Sequence, residues 1–218
     1  MIPKNINKPH SAYKQIKELL LKKNLHPGQK LNYQELSDLL KVSKTPIINA
    51  LNLLQGEGFV VYESNRGYRI RPVEENEIDD LFRIRLNLEC FNVKNAIRNM
   101  NTEKENILEQ VYIQWAEYTP EFTDRKKLEL DLSFHLEIAR AGDNAYAIGF
   151  LRTVLEHIHF RCRLEAGVER RKDDIKNEHR EIFEGIKRRD QDAALDSMES
   201  HIKALHGLMM QYLKQMKN

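Results

Sequence analysis

The chain is predicted to be mainly α: a small N-terminal α+β winged helix-turn-helix, followed by an all-α antiparallel helical bundle. Three observations carry this expectation. Residues 33–71 read as two short helical patterns, a tight turn and a two-stranded hairpin. From Glu75 onward the only proline is Pro120, and helical periodicity runs almost unbroken. The charge also divides. Residues 1–73 carry 12 Lys+Arg and 5 Asp+Glu, a net of +7, and residues 74–218 carry the remaining 23 and 28, a net of −5. The overall +2 conceals this split. A basic lobe beside an acidic one is the pattern expected when only one lobe faces phosphate.

The elements follow in order. Ala12 to Lys23 forms an amphipathic helix with Ile16, Leu19 and Leu20 inward, and Pro27-Gly28 ends its connection. Asn32 caps a second helix that buries Leu36, Leu39 and Leu40. Val42 and Ser43 make the turn. Thr45 is the expected N-cap of the next helix, with Pro46 at its first position, where a missing N–H costs nothing. That helix buries Ile47, Ala50, Leu51 and Leu54 and stops near Gly56 or Gly58. Phe59 to Tyr62 and Tyr68 to Arg71 are the paired strands, around a basic-tipped turn at Asn65-Arg66-Gly67. Such a unit lays one helix in the DNA major groove and its hairpin beside the backbone.

A domain boundary is expected at Pro72-Val73-Glu74-Glu75, giving 1–73 as the DNA-binding domain and 74–218 as the helical one. Breaks in the second domain predict six helices, at 77–99, 103–118, 124–141, 145–166, 170–189 and 191–216, joined by short loops. Charged residues are 31% and apolar ones 41%, which suits a soluble protein with a core. No apolar run approaches the ~18 residues of a membrane span, and no signal peptide precedes the first helix. Cys90 and Cys162 are read as free core thiols, so a cytoplasmic protein is expected.

Three helices of the second domain place a histidine where leucine is expected. His135 shares a stripe with Leu128, Ile138 and Ala139. His179 sits among Ile175, Ile182, Phe183 and Ile186. His201 lies between Ala194, Met198, Leu205 and Leu208. Each by itself reads as a satisfied core histidine. Asp131, however, is one turn before His135 on the same face. An ionisable carboxylate is costly to bury alone, and a cation shared with three neutral imidazoles removes that cost. One carboxylate and three imidazoles suit zinc, nickel or a related divalent ion. Arg85 and Glu89 are also one turn apart, on the side of Ile78, Leu81 and Phe82. They form either a structural ion pair or a guanidinium fork offered to a carboxylate inside the bundle. Arg161 is a weaker candidate for the same task.

With both halves in view, the chain resembles the GntR family of bacterial transcription regulators, in its FadR-like branch with an FCD effector-binding domain. The resemblance covers about residues 10–215. It rests on PGQKL (27–31), ELSDLLKVSKTPIINAL (35–51), EGFV (57–60) and the wing Gly67. In the second domain it rests on RIRLNLE (83–89), DLSFHLEIARAGDN (131–144), EHREIFEGIKRRDQDAA (178–194) and MESHI (198–202). The resemblance implies a homodimer on a palindromic operator in double-stranded DNA, with a small carboxylate effector entering the bundle. In the metal-containing subset of the family, one Asp and three His hold a divalent ion at the floor of that cavity. Asp131, His135, His179 and His201 match these positions, and Arg85 stands where the family keeps an arginine. The function expected is that of a ligand-responsive transcriptional repressor, not an enzyme. A metal-dependent hydrolase and a metal sensor are the alternatives, and the hydrolase finds no HExxH and no evident general base.

The expected DNA contacts are Gln34, Lys44, Thr45, Asn49, Asn65, Arg66 and Gly67. Here the chain departs from the family. Where members carry Ser-Arg-Thr-Pro-Val-Arg-Glu-Ala-Leu, this chain has Ser43-Lys44-Thr45-Pro46-Ile47-Ile48-Asn49-Ala50-Leu51. Lys44 keeps a phosphate contact but lacks the guanine-matching fork. Ile48 cannot hydrogen-bond a base, and Asn49 is suited to adenine. The half-site should therefore differ from the usual family one and be richer in A·T. Selection of bound sites from random DNA measures this, and recovery of the usual half-site would contradict it.

Overall fold

The computed structural model describes residues 8–21, 25–161, 169 and 171–217. It divides into two compact units, Met1–Glu74 and Glu75–Asn218.

In the first unit α1 (Lys8–Leu21) packs on α3 (Lys44–Gly56), and α2 (Tyr33–Leu40) also packs against α3. The shared core is Ala12, Ile16 and Leu20 against Ile47, Leu51 and Leu54, with Leu36, Phe59 and Ile70 closing it. Asn32 caps α2 as expected, its side chain accepting from the Gln34 amide at 2.9 Å. Lys41 then takes a left-handed conformation (φ 53°) that ends the helix.

Four local expectations shift. The N-cap of α3 is Ser43, not Thr45, so Pro46 is the third helical residue. It is tolerated there because none of the first-turn N–H groups has an intrahelical partner. Leu39 is 61% exposed rather than inward, since Leu36 alone on α2 is fully directed at α3. The first helix begins at Lys8 rather than Ala12. The strands are β1 (Val60–Glu63) and β2 (Gly67–Ile70), antiparallel with Val60 opposite Ile70 and Tyr62 opposite Tyr68, each one residue from its expected place. The turn between them uses left-handed conformations at Asn65 (φ 63°) and Gly67 (φ 82°), which suit Asn and Gly.

The second unit contains six long helices among the described residues: α4 (Glu75–Asn99), α5 (Thr102–Glu117), α6 (Arg125–Ala141), α7 (Ala145–Arg161), α8 (Lys172–Lys187) and α9 (Gln191–Lys217). Short loops fold α5 onto α6, α6 onto α7 and α8 onto α9. Helix α4 is central and packs against α6, α7, α8 and α9. Its inward stripe runs Ile78, Phe82, Arg85, Glu89, Asn92, Val93 and Ala96, so an ion pair lies on the core face. Lys104 ties α5 to the α6–α7 turn through the Asn99 and Ala141 carbonyls and the Asp143 carboxylate. No helix among the described residues is long and apolar enough to cross a membrane.

The α8–α9 hairpin fixes the distance between two of the histidines. Gly185 packs tightly on Ala194 within it: a Cβ at Gly185 would stand 2.9 Å from the Ala194 Cα and N. His179 precedes Gly185 by six residues and His201 follows Ala194 by seven, so the two face each other across the same hairpin. Gly185→Ala should therefore wedge the helices apart and cost about 1–3 kcal/mol in urea unfolding. Gly207→Ala on α9, where a Cβ meets nothing within 4 Å, should instead gain up to about 1 kcal/mol. Equal effects of the two substitutions would contradict the close-contact account.

Candidate metal centre and nucleic-acid interface

The three core histidines come together. His135 from α6, His179 from α8 and His201 from α9 are each fully buried, with one ring nitrogen of each within 4.8 Å of the others. The Nε2 atoms of His179 and His201 are 3.3 Å apart. Asp131 leans over the cluster, its Oδ1 3.4 Å from His179 Nε2 and its Oδ2 4.0 Å from His135 Nε2. Ligands about 2.1 Å from a tetrahedral ion stand roughly 3.4 Å from one another, so the spacing suits a single small cation.

Protonation suits it as well. Burial, and after it the neighbouring His201 and His135, Arg85 and Lys127, push His179 well below the ordinary imidazole value. Burial also lowers His201, only partly offset by its hydrogen bond to Glu178. Both rings are therefore neutral at pH 7, which is the form that ligates metals.

The far side of the His201 ring is held by a carboxylate and that of His135 is approached by another, neither of them expected from the sequence to serve the cluster. His201 Nδ1 donates to Glu178 Oε2 at 2.8 Å, and the other oxygen of Glu178 accepts from Arg171. Fixing the proton on Nδ1 leaves the Nε2 lone pair facing the cluster. Glu89 Oε1 lies 2.9 Å from His135 Nδ1, a close but poorly aligned approach. Burial alone would raise the Glu89 carboxyl, but His135 and Arg85 outweigh it and hold it at about 2, so it stays ionised.

Arg85 forms the structural ion pair expected as one of its two alternatives. Its Nε pairs with Glu89 Oε1 at 3.1 Å, and its Nη2 lies 3.1 Å from His135 Nε2. It also lines a cavity together with Trp115, Lys127, Leu128, Asp131 and Ile175, among others. The imidazoles stand behind this wall, and Asp131 belongs to both the cluster and the cavity. Trp115 and Phe134 pack on the His179 ring at 4.1 and 4.8 Å between centroids and give the cluster an apolar flank. The side chain of Arg161, like all of Cys162, lies outside the described residues. Cys90 is a free thiol.

In the first unit the expected DNA contacts Gln34, Lys44, Thr45, Asn49, Asn65 and Arg66 are exposed, and Gly67 is half-buried. Lys44, Thr45 and Asn49 are exposed on α3, and Arg66 projects from the wing tip with its side chain 81% exposed. Gln34 is exposed on α2 but its amide is tied to Asp38 at 2.9 Å. Lys44 sits over the Tyr33 ring. Ile48 is half-buried, in keeping with its apolar side chain. Asn52, unassigned from sequence, is exposed one turn beyond Asn49, and its Oδ1 accepts from the Tyr68 hydroxyl.

Comparison with known proteins places both units. Residues 9–70 match the bacterial regulatory proteins of the gntR family, and residues 80–204 match the FCD domain. The uncharacterized HTH-type transcriptional regulator YdhC of Bacillus subtilis (strain 168) is 28% identical over 191 residues, covering 87% of this chain and 85% of that protein. The Nta operon transcriptional regulator of Aminobacter aminovorans is 31% identical over 137 residues, covering 63% of this chain and 65% of that one. Among solved structures, E. coli McbR/YncC superposes with a TM-score of 0.77 at 16% identity, over 95% of this chain and 99% of that one. At that identity the likeness speaks for the fold alone.

The lowered pKa values carry a signed consequence. Below about pH 6.5 the unfolded chain protonates His179 and His201 while the folded chain does not, so stability must fall as pH drops. Chelator-treated protein should lose unfolding free energy as the pH falls from about 7.5 to about 5.5. Denaturant titration at the two pH values measures it, and a flat profile would contradict neutral, buried imidazoles.

Proposed function

The chain belongs to the gntR family of bacterial transcription regulators and carries its FCD domain, so it is a transcription regulator and not an enzyme; on that premise we propose that it is a homodimeric repressor whose operator affinity is set by a small carboxylate bound beside a divalent ion. The observation that carries this reading is the convergence of three buried imidazoles under Asp131, behind a cavity that Arg85 also lines.

Asp131, His135, His179 and His201 hold the ion, with zinc or nickel the best match to this donor set. When bound, the ion supplies a fixed positive charge that attracts an effector carboxylate at the cavity floor. The chain's own groups do the rest. Glu178 and Glu89 orient the imidazoles, and Arg85 offers guanidinium N–H groups to the same end of the cavity.

Dimerisation is supported by apolar side chains left exposed on two adjacent helices. Ile84 and Phe91 on α4 are about half exposed, and Tyr146 and Phe150 on the neighbouring α7 are 81% and 62% exposed. Isolated exposed apolar residues are ordinary, but four large ones on packed helices suit a two-fold interface. Two recognition helices would then meet a palindrome, with Lys44, Thr45, Asn49 and the wing residues Asn65, Arg66 and Gly67 in contact and Gln34 beside them. The repressor sense follows from economy: a dimer seated on an operator blocks transcription by occupancy alone. Control requires an effector that binds the two DNA-affinity states unequally.

His179→Ala tests the reading. The variant should lose most of its metal and its response to a panel of small carboxylates in a DNA-shift assay, while effector-free DNA binding stays measurable. An unchanged carboxylate response would overturn the metal-centred pocket.

A further inference from the structure

Helix α6 presents a second functional group to the cavity, one turn before Asp131. Lys127 is half-buried and lines the cavity wall. Two of its three ammonium N–H donors go to the last carbonyls after α5, those of Trp115 and Tyr118. The ammonium also rides over the Trp115 ring, 3.8 Å from its centroid. No carboxylate stands within ion-pairing distance of it among the described residues. Asp131 acts on it from farther off, with its oxygens turned to His179 and His135. Burial, only partly offset by Asp131, lowers this lysine to about 8, so the amine is still mostly charged at pH 7.

The other cations on the wall are already balanced. Arg85 has Glu89 at 3.1 Å, and Lys172 has Glu169 at 3.0 Å. Among the described residues Lys127 is the lining cation without a counter-ion, and an uncompensated charge costs more the less water it keeps. The metal end is likewise one charge short, because Asp131 offsets only half of a divalent ion. The cavity thus has two positive poles. The two legs through Trp115, 3.8 Å to the Lys127 ammonium and 4.1 Å to the His179 ring, bound the separation of those groups at about 8 Å. The uncharged part of the lining is mostly apolar, with Trp115, Leu128, Ile175 and Leu205 beside Thr123.

Resting on the carboxylate-effector reading above, we propose that the cavity selects a short aliphatic dicarboxylate, one carboxylate at the Asp131–histidine end and the other on the free N–H of Lys127. The two poles supply the charge match, and the apolar wall takes the methylene chain. Lys127 is then a specificity-determining residue that separates diacids from monoacids of equal length.

The test is calorimetric titration of the metal-loaded full-length protein with succinate and with butyrate, checking metal content before and after. Succinate should bind at least ~10-fold more tightly, as expected for one added charge-assisted hydrogen bond. Lys127→Gln should collapse the succinate-to-butyrate ratio towards one, and Lys127→Arg should keep most of it. Equal binding of the two acids by the wild-type protein would overturn the proposal while leaving a carboxylate pocket standing. A full ratio in Lys127→Gln would also overturn it. Binding of neither acid would remove the carboxylate-effector reading and this proposal together. The wild-type ratio and the Arg variant decide the matter even if the Gln variant fails to fold.

Discussion

Burying three imidazoles beside a carboxylate is the constraint around which the helical unit is organised. Each ring replaces an apolar side chain on the core stripe of its helix, and none is exposed to water. That arrangement is costly unless every ring has a defined proton and a defined partner. The fold meets the requirement for His201 with charge from outside the cluster, while the Nδ1 atoms of His135 and His179 have no hydrogen-bond partner among the described residues. Glu178 reaches across the α8–α9 hairpin to His201, and Arg171 steadies Glu178 from the start of α8. Glu89 comes from α4 with Arg85 as its own counter-charge. The Gly185–Ala194 approach brings α8 and α9 near enough for this to work. The proton held on His201 Nδ1 turns the Nε2 lone pair of that ring inward, towards His179 Nε2 at 3.3 Å.

The same helices supply both a packed apolar core and a lined cavity. The apolar contacts of α6 and α7, Leu136 and Ala139 against Leu151 and Leu155, lie away from the histidines and need no ligand. The wall formed by Trp115, Leu128 and Ile175 instead leaves room for one. A ligand drawn to the charged groups of that wall touches α4, α5, α6 and α8 at once, so its binding free energy can favour one helix arrangement over another. In the first unit the departures from the usual family pattern fall on the exposed face of α3. Ile48 is half-buried and apolar, and Lys44, Thr45, Asn49 and Asn52 are exposed polar residues of the same helix.

Much of this was legible in the sequence, for identifiable reasons. Histidines at helical spacing on apolar stripes, with Asp131 at i−4, follow from periodicity alone, and so did the order of helices and hairpin. What escaped was whatever depends on contacts between helices. Glu178 is adjacent to His179 in sequence yet serves His201, which no local pattern reveals. Glu89 reads as the partner of Arg85, and its approach to His135 needs the α4–α6 packing to be known. Lys127 shares the face of Asp131 by spacing, but its lack of a counter-ion is a tertiary fact. The N-cap of α3 was misplaced because Ser43 and Thr45 are both good caps and Pro46 is compatible with either start. Leu39 was placed inside because its spacing fits the apolar stripe, while α3 covers only Leu36 fully.

The central claim is that Asp131, His135, His179 and His201 form one divalent-metal centre. X-ray absorption at the metal edge of protein purified with its native metal, alongside quantitative elemental analysis, tests it most directly. One ion per chain, with a first shell of about three imidazole nitrogens near 2.1 Å and oxygen completing it, is the predicted result. Absence of stoichiometric metal after loading, or a first shell without imidazole scattering, would contradict the account.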